Sequence, residues 1–258
     1  MLRFRSLASG SAGNATLVEA SDGPGRRTRV LVDCGLGWRQ LQASLAALGL
    51  VPADLDAIFL THEHGDHVGC APSVSARHGV PVWASAGTRA ALDDQQPTAA
   101  FRAAADGVAI TIGALQLQPF TVPHDAREPL QLRCTDGARS LGILTDLGHV
   151  TPHALAQLAD CHALMLESNH EPELLARSSY PEFLKRRIAG AHGHLSNGQA
   201  AAALALLRHD RLSVVVAAHL SERNNLPALA RRAFADVLGC AECEVLVSSR
   251  AGLDWLTA

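Results

Sequence analysis

Short apolar runs alternate with stretches of helical spacing along the whole chain, which is typical of a mixed α/β fold. The pattern predicts strands at Arg3–Ala8, Ala15–Ala20, Arg29–Val32, Leu55–Leu60, Val80–Ala84, Val108–Ile112, Leu115–Thr121, Leu130–Cys134, Ser140–Thr145, His162–Glu167, Leu212–Ala218 and Glu244–Val247. It predicts helices at Trp38–Leu48, in a stretch ending near His78, and at Thr88–Asp94, Pro152–Ala159, Pro181–Ala189, Asn197–Leu207 and Pro227–Leu238. Since no linker or charge block interrupts the pattern, we expect one α/β domain over residues 1–258.

The composition narrows the class of protein. A net charge of −3 argues against a broadly basic nucleic-acid binder, although it leaves a local basic patch open. The N-terminus lacks a signal-peptide pattern and no apolar run approaches the ~18 residues of a membrane span, so we expect a cytoplasmic protein without a membrane partner. The six cysteines are scattered, as in a reducing compartment; for the C-x-x-C pair Cys240 and Cys243, ordinary thiols are favoured over a metal or redox role.

A cluster of metal-ligand side chains follows the predicted strand Leu55–Leu60. The segment reads H-x-H-x-D-H and contains His62, His64, Asp66 and His67. Four such side chains cannot be buried together without unmet hydrogen bonds unless they share a cation. A solvated, histidine-rich loop is the weaker alternative, so the spacing predicts a metal site.

Three more candidate ligands come directly after apolar strands, where strand ends gather at one edge of a sheet. His124 follows Leu117–Val122, Asp146 follows Leu141–Thr145, and His219 follows Leu212–Ala218. Each taken alone is more often a hydrogen-bonded loop histidine or a turn aspartate than a metal ligand. Together with the first cluster they give five histidines and two aspartates, which is enough for two divalent metal ions with open positions.

These residues, in this order, resemble the ligand motifs of the metallo-β-lactamase superfamily. Within it the chain is most similar to the YycJ/WalJ-like hydrolases, through Ser9–Asn14, Thr145–Gly148, Glu167–His170, Gly193–Asn197, His219–Ser221 and Asn224–Asn225. The resemblance implies a four-layered αββα sandwich with the metals at one edge of the sheets. It also implies that His62, His64 and His124 bind one metal, that Asp66, His67 and His219 bind the other, and that Asp146 bridges them.

The residues themselves suggest hydrolysis. A water molecule between two dications loses a proton near neutral pH, and the resulting bridging hydroxide attacks a carbonyl or phosphoryl centre. Asp66 is expected to orient that water and accept a proton. His194 resembles the histidine that protonates the leaving group in tRNase Z-type phosphodiesterases. Glu167 resembles the acidic residue that supports this histidine in the same enzymes. Alternatively, His194 caps a helix or packs in a loop. The alternative for Glu167 is a structural ion pair.

Basic residues near the predicted site suggest a phosphate-containing substrate. Lys185, Arg186 and Arg187 lie just upstream of His194 and would form a cationic clamp, unless they are a solvated helix face. The turn that ends at Asn14 either presents backbone N–H groups to an anion or is a plain hairpin turn. We include Lys185, Arg186, Arg187 and Asn14 as candidate substrate-binding residues.

The leading hypothesis is a dinuclear metal-dependent phosphodiesterase, a nuclease acting on DNA or RNA. The alternative is a hydrolase of small acyl substrates (thioester, lactone or lactam), which could dispense with the pair of His194 and Glu167. A non-catalytic module fits poorly because no ligand is missing. Zinc is the first expectation for the metal, with manganese or iron as alternatives. The modest size suggests that long nucleic-acid contacts would need a partner, such as a second copy in a homodimer.

Overall fold

The computed structural model of the chain describes residues 1–21, 23, 25–93 and 100–258. Its strands are β1 (Leu2–Ala8), β2 (Ala15–Ser21), β3 (Arg27–Val32), β4 (Ala57–Phe59), β5 (Val82–Ala84), β6 (Phe101–Ala103), β7 (Ile110–Ile112), β8 (Leu115–Thr121), β9 (Leu130–Thr135), β10 (Ser140–Leu144), β11 (Ala163–Glu167), β12 (Val214–Ala218), β13 (Leu246–Val247) and β14 (Leu256–Thr257). Its helices are α1 (Trp38–Ala46), α2 (Gly65–Val68), α3 (Ala71–His78), α4 (Ala86–Asp93), α5 (Pro152–Leu158), α6 (Pro172–Arg177), α7 (Glu182–Ile188), α8 (Asn197–Leu207) and α9 (Pro227–Leu238).

The strands of the described residues form two seven-stranded sheets of similar design. The first has the order β14-β1-β2-β3-β4-β5-β6 and the second the order β13-β12-β11-β10-β9-β8-β7. In each sheet, hairpin-linked antiparallel strands form one part, and parallel strands reached through helical crossovers form the other. The carboxyl ends of the parallel strands therefore open onto one edge of each sheet.

The sheets pack face to face and helices cover their outer faces. The inner core contains Phe4 and Phe59 from the first sheet and Leu132 and Met165 from the second. A second cluster packs α1 and α3 against the first sheet, and a third packs α5, α8 and α9 against the second. Because both faces of these sheets are covered, central strands such as β2 are buried at consecutive positions rather than at alternate ones. The expected four-layered αββα sandwich is confirmed.

Short elements account for most differences from the sequence prediction. The strand β6, the two-residue strand β14 and the helices α2 and α6 were not predicted, because a few residues do not establish a period of 2 or 3.6. The predicted helix Thr88–Asp94 starts earlier, at Ala86, and Asp94 lies outside the described residues. In the part of the chain that the structure describes, no helix combines the length and apolarity that crossing a membrane requires.

Three strand ends carry backbone conformations that side chains rarely adopt. Asp33 follows β3 with a φ of 58°, Asp146 follows β10 with a φ of 55°, and His219 follows β12 with a φ of 54°. The left-handed region costs a non-glycine residue free energy, and such strain persists where surrounding contacts impose it, often at functional sites. All three side chains point into the same cluster of polar groups, described next.

Candidate metal centre

The structure brings all seven predicted ligands together at the shared edge of the two sheets. The ligand atoms of His62, His64 and His124 lie within 4.8 Å of one another, and so do those of Asp66, His67 and His219. Asp146 forms a further group of the same dimensions with His62 and His67. The first sheet contributes the loop after β4, and the second contributes the segments after β8, β10 and β12. Neither sheet alone could build this cluster.

The short helix α2 turns the H-x-H-x-D-H segment inward. His64 stands at its N-cap position, so that Asp66 and His67 lie on the first turn. The backbone of the loop after β1 holds this turn from the other side, because Asn14 N donates to Asp66 O at 2.8 Å. Gly35 permits this approach, since a Cβ atom there would lie 1.7 Å from the Asp66 carbonyl oxygen.

Hydrogen bonds behind the cluster fix the orientation of three histidine rings. His67 Nδ1 lies 2.8 Å from Asp33 Oδ2, and His219 Nδ1 lies 2.8 Å from Glu167 Oε1. His124 Nδ1 lies 3.1 Å from the carbonyl oxygen of Gly193. A ring that donates from Nδ1 presents an unprotonated Nε2 to the opposite side, as metal-binding histidines do. The outer contacts therefore aim the three Nε2 atoms at the centre.

Several inward-facing atoms are buried and have no hydrogen-bond partner within the described part of the chain. These are the Nε2 atoms of His124 and His219 and the Oδ2 atom of Asp146. In addition, His62 Nε2 faces His64 Nδ1 at 3.0 Å, an arrangement that brings two basic nitrogens together. Unpaired buried polar atoms are costly, and a divalent cation would satisfy them at once. The nitrogen and carboxylate donors suit such an ion, so the residues present fit a metal site.

The electrostatics of the cluster also favour a cation. Burial opposes a charged His67, yet Asp146 and Asp33 outweigh it and raise the pKa of His67 to about 9. Burial likewise works against ionisation of Asp66, but the neighbouring imidazoles of His219 and His67 hold the pKa of Asp66 below its usual range. Burial, followed by the neighbouring imidazoles, lowers the pKa of His62. The carboxylates thus stay ionised and stabilise positive charge between them.

Glu167 lies beneath the cluster and acts as its hydrogen-bond acceptor. The side chain is fully buried and receives N–H groups on both oxygens: Oε1 faces His194 Nδ1 at 2.9 Å and His219 Nδ1 at 2.8 Å, while Oε2 accepts from Leu195 N at 2.9 Å. Asp146 N and Leu147 N also donate to it. With hydrogen bonds to both oxygens, Glu167 is placed to orient the two histidines, although its ligand atom also lies within 4.8 Å of those of Asp146, His194 and His219.

His194 stands on the wall of an open cavity above the ligands. Burial opposes its charged form, but the Glu167 carboxylate outweighs burial and holds the pKa of His194 above its usual value. The preceding Gly193 lets the loop pass close under α7, since a Cβ there would lie 2.1 Å from the Arg187 carbonyl oxygen. The cavity measures about 350 Å³ and is also lined by Asp66 and Arg187.

The predicted substrate-binding residues separate into different places. Arg187 lines the cavity above the ligands and forms an ion pair with Asp125. Lys185 and Arg186 line a neighbouring cavity on the other side of α7. Asn14 is buried against α2, with Nδ2 3.2 Å from His67 Nε2 and Oδ1 accepting from Gly10 N at 2.9 Å. The structure thus places Arg187 and Asn14 beside the cluster, whereas it directs Lys185 and Arg186 elsewhere.

The sequence interpretation missed three residues of the site. Asp33 orients His67 and also accepts from Thr61 N at 2.9 Å, and Thr61 Oγ1 in turn lies 3.0 Å from His62 Nδ1. Asp125 Oδ1 lies 3.3 Å from His124 Nε2. A signal for Asp33 exists in the sequence, because it follows a predicted strand in the same way that Asp146 and His219 do.

A cluster of histidines and aspartates at the edge of an αββα sandwich, fitted to divalent metal and open to a cavity, defines a metal-dependent hydrolase. The comparisons with known proteins agree. The model of the beta-lactamase superfamily domain matches residues 28–219, and the chain belongs to this superfamily.

Two relatives and one solved structure illustrate the relationship. The exodeoxyribonuclease YycJ of Bacillus anthracis is 33% identical over 240 residues, covering 92% of this chain and 89% of the relative. The exodeoxyribonuclease WalJ of Streptococcus pneumoniae serotype 2 (strain D39) is 31% identical over 248 residues, covering 94% and 90%. The crystal structure of the metallo-beta-lactamase fold protein YhfI from Bacillus subtilis aligns over the whole of both chains, with a TM-score of 0.70 at 18% identity. The expected resemblance to the YycJ/WalJ-like group is confirmed.

Proposed function

We propose that the chain is a nuclease that hydrolyses phosphodiester bonds of DNA with two divalent metal ions. The observation that carries this proposal is the pair formed by His194, on the wall of the metal cavity, and the buried Glu167 behind it, joined at 2.9 Å. Expulsion of an alkoxide, a poor leaving group, benefits from a positioned proton donor, whereas an acyl hydrolase could dispense with one. The names of the relatives, both exodeoxyribonucleases that match over most of their length, support the choice of DNA.

The geometry suggests how the ligands divide between two metals. We assign His62, His64 and His124 to one ion. We assign Asp66, His67 and His219 to the other, with Asp146 between the two groups. Zinc is our first choice, and manganese or iron would be accepted by the same imidazole and carboxylate donors.

The chain's own residues then provide binding, orientation and proton transfer. When bound, the divalent ions supply an activated water and neutralise charge on the phosphate oxygens. Asp66 lines the cavity with its carboxylate partly exposed, where it holds and orients the attacking water. Arg187 would exchange its partner Asp125 for a phosphate oxygen of the substrate, since a guanidinium pairs well with either anion.

His194 is placed to protonate the leaving oxygen. Its Nδ1 is held by Glu167, so that Nε2 is the atom available to the substrate. Because Glu167 favours the charged imidazolium, the ring carries the proton that the leaving group requires. Glu167 acts through His194 and is therefore a positioning residue.

The direct test is hydrolysis of 5′-labelled single-stranded DNA, duplex DNA and RNA with added Mn²⁺ or Zn²⁺. We expect cleavage of DNA that is lost in Asp66→Ala and retained in Asp210→Ala, a matched change at an exposed aspartate outside the cavity. The product ladder distinguishes endonuclease from exonuclease action. Absence of cleavage with either metal would contradict the proposal and would direct attention to thioesters and lactones.

A further inference from the structure

Helix α7 forms a wall between two cavities. Leu184, Arg187 and Ile188 line the metal cavity, while Lys185, Arg186 and Ala189 line a second cavity of about 440 Å³. With 3.6 residues per turn, these two sets lie on opposite faces of the helix. The three consecutive basic residues therefore face two cavities: Arg187 lines the metal cavity, and Lys185 and Arg186 line the second.

The second cavity combines an apolar side with polar and charged groups, among them Glu182, Lys185 and Arg186 of α7. Leu175 and Ala176 of α6 give it an apolar side, and Gln199 at the start of α8 adds an amide. His170 also lines the cavity, is only 2% exposed, and has no hydrogen-bond partner for its Nδ1 atom within the described residues. Burial lowers the pKa of His170 to about 4, so the ring is neutral. Such a mixed lining can hold a nucleobase, which has an apolar face and a polar edge.

The outer ridge of α7 offers contacts for a polyanion between the cavities. Phe183 is 73% exposed there, so its ring is available for contact. In helical projection it lies between the directions of Arg186 and Arg187. Arg186 is exposed and has no ion-pair or hydrogen-bond partner among the residues that the structure describes. An exposed aromatic ring flanked by cations is a common means of holding single-stranded nucleic acid.

We propose that a single strand of nucleic acid crosses over α7, with one phosphodiester at the metal centre and the unpaired base of a nearby nucleotide in the second cavity. This inference rests on the proposed nuclease function. A helix with its side chains is about 10–12 Å across, so the base belongs to a nucleotide near the cleaved bond but not next to it in the metal cavity. Phe183 stacks on a base between the two cavities, and Arg186 pairs with a phosphate. A paired base could not enter, so the arrangement selects single strands.

The test fills the cavity from an exposed position. Ala189→Phe adds a ring at the second cavity, and Ala202→Phe adds one at an exposed site of α8 outside both cavities. For a single-stranded 12-nucleotide DNA with Mn²⁺, we expect Ala189→Phe to raise KM about tenfold, the typical loss of one stacked base. It should leave hydrolysis of bis(4-nitrophenyl) phosphate unchanged, since that small diester needs the metal cavity alone. Ala202→Phe should alter neither substrate.

Strands lacking a single base sharpen this test. Removing the base at one position near the cleaved bond should weaken binding to the wild-type protein about tenfold and have no further effect in Ala189→Phe. Equal KM values for wild type and Ala189→Phe, or additive effects of the two changes, would overturn the inference. If the wild-type protein cleaves neither substrate, the nuclease proposal fails. Fluorescence anisotropy of the labelled strand with the same three proteins then decides the inference: weaker binding by Ala189→Phe alone supports it, and equal binding refutes it.

Discussion

Replacement of Glu167 by glutamine tests how far the metal centre depends on one buried acceptor. The two carboxylate oxygens face N–H donors on both sides, with the rings of His194 and His219 on one side and the backbone of Leu195 and Leu147 on the other. Glutamine has nearly the same shape but exchanges one oxygen for an NH₂ group. In either orientation of the amide, its NH₂ group faces N–H donors of the protein instead of accepting from them.

The structure gives the size of the expected effect. With the NH₂ group toward Leu195 and Leu147, two buried backbone N–H groups lose their acceptor at about 1–3 kcal/mol each, so the free energy of unfolding should fall by roughly 2–6 kcal/mol. With the amide reversed, the rings of His194 and His219 lose the contact that fixes their protonation. Loss of such an outer contact typically lowers metal affinity or activity about 10–100-fold.

Glu19→Gln is the matched control. Glu19 is also buried, and its carboxylate is paired with Arg3, Arg27 and Arg29 rather than with any ligand of the cluster. Urea unfolding in the presence of a chelator measures stability, and titration with Zn²⁺ or Mn²⁺ measures metal affinity. We expect both variants to lose stability but only Glu167→Gln to lose metal affinity. A Glu167→Gln protein within about 0.5 kcal/mol of wild type, with unchanged metal affinity, would refute the role given to this acceptor.

Four further outcomes are expected. His194→Ala should keep its metals but lower kcat on DNA about 10²–10⁴-fold, whereas His192→Ala, two residues earlier and exposed, should not; equal rates would remove the proton-donor role. His124→Ala should retain one of the two metals by elemental analysis, and full occupancy would contradict its assignment. Asp33→Asn should weaken metal binding about tenfold in a competition titration, because His67 loses its charged partner, and an unchanged affinity would exclude that contact as a determinant. Chelation of metal held at about 1,000 times its Kd should lower the free energy of unfolding by about 4 kcal/mol, measured by urea titration; a curve that chelator leaves unmoved would mean that the folded protein holds no metal.

The sequence by itself determined the fold class and the seven candidate metal ligands that the structure brings together. Strands and helices bury side chains with different periods, so the order of apolar residues along the chain indicates the type of element. The apolar run of β12 is an example. The H-x-H-x-D-H segment is local, so its chemistry can be recognised without coordinates. His124, Asp146 and His219 could be added because each follows a strand of the second sheet, and strands that run in the same direction end at a common edge.

Only the tertiary structure decided which groups stand behind the ligands and which cavity each side of α7 faces. Asp33 and Glu167 are 134 positions apart in the chain, yet they orient His67 and His219 of the same cluster. The basic triplet predicted one clamp, but the helix turns Arg187 toward the metal cavity and Arg186 toward another. A helical period fixes which residues share a face, whereas what that face contacts depends on packing between elements that are distant in sequence.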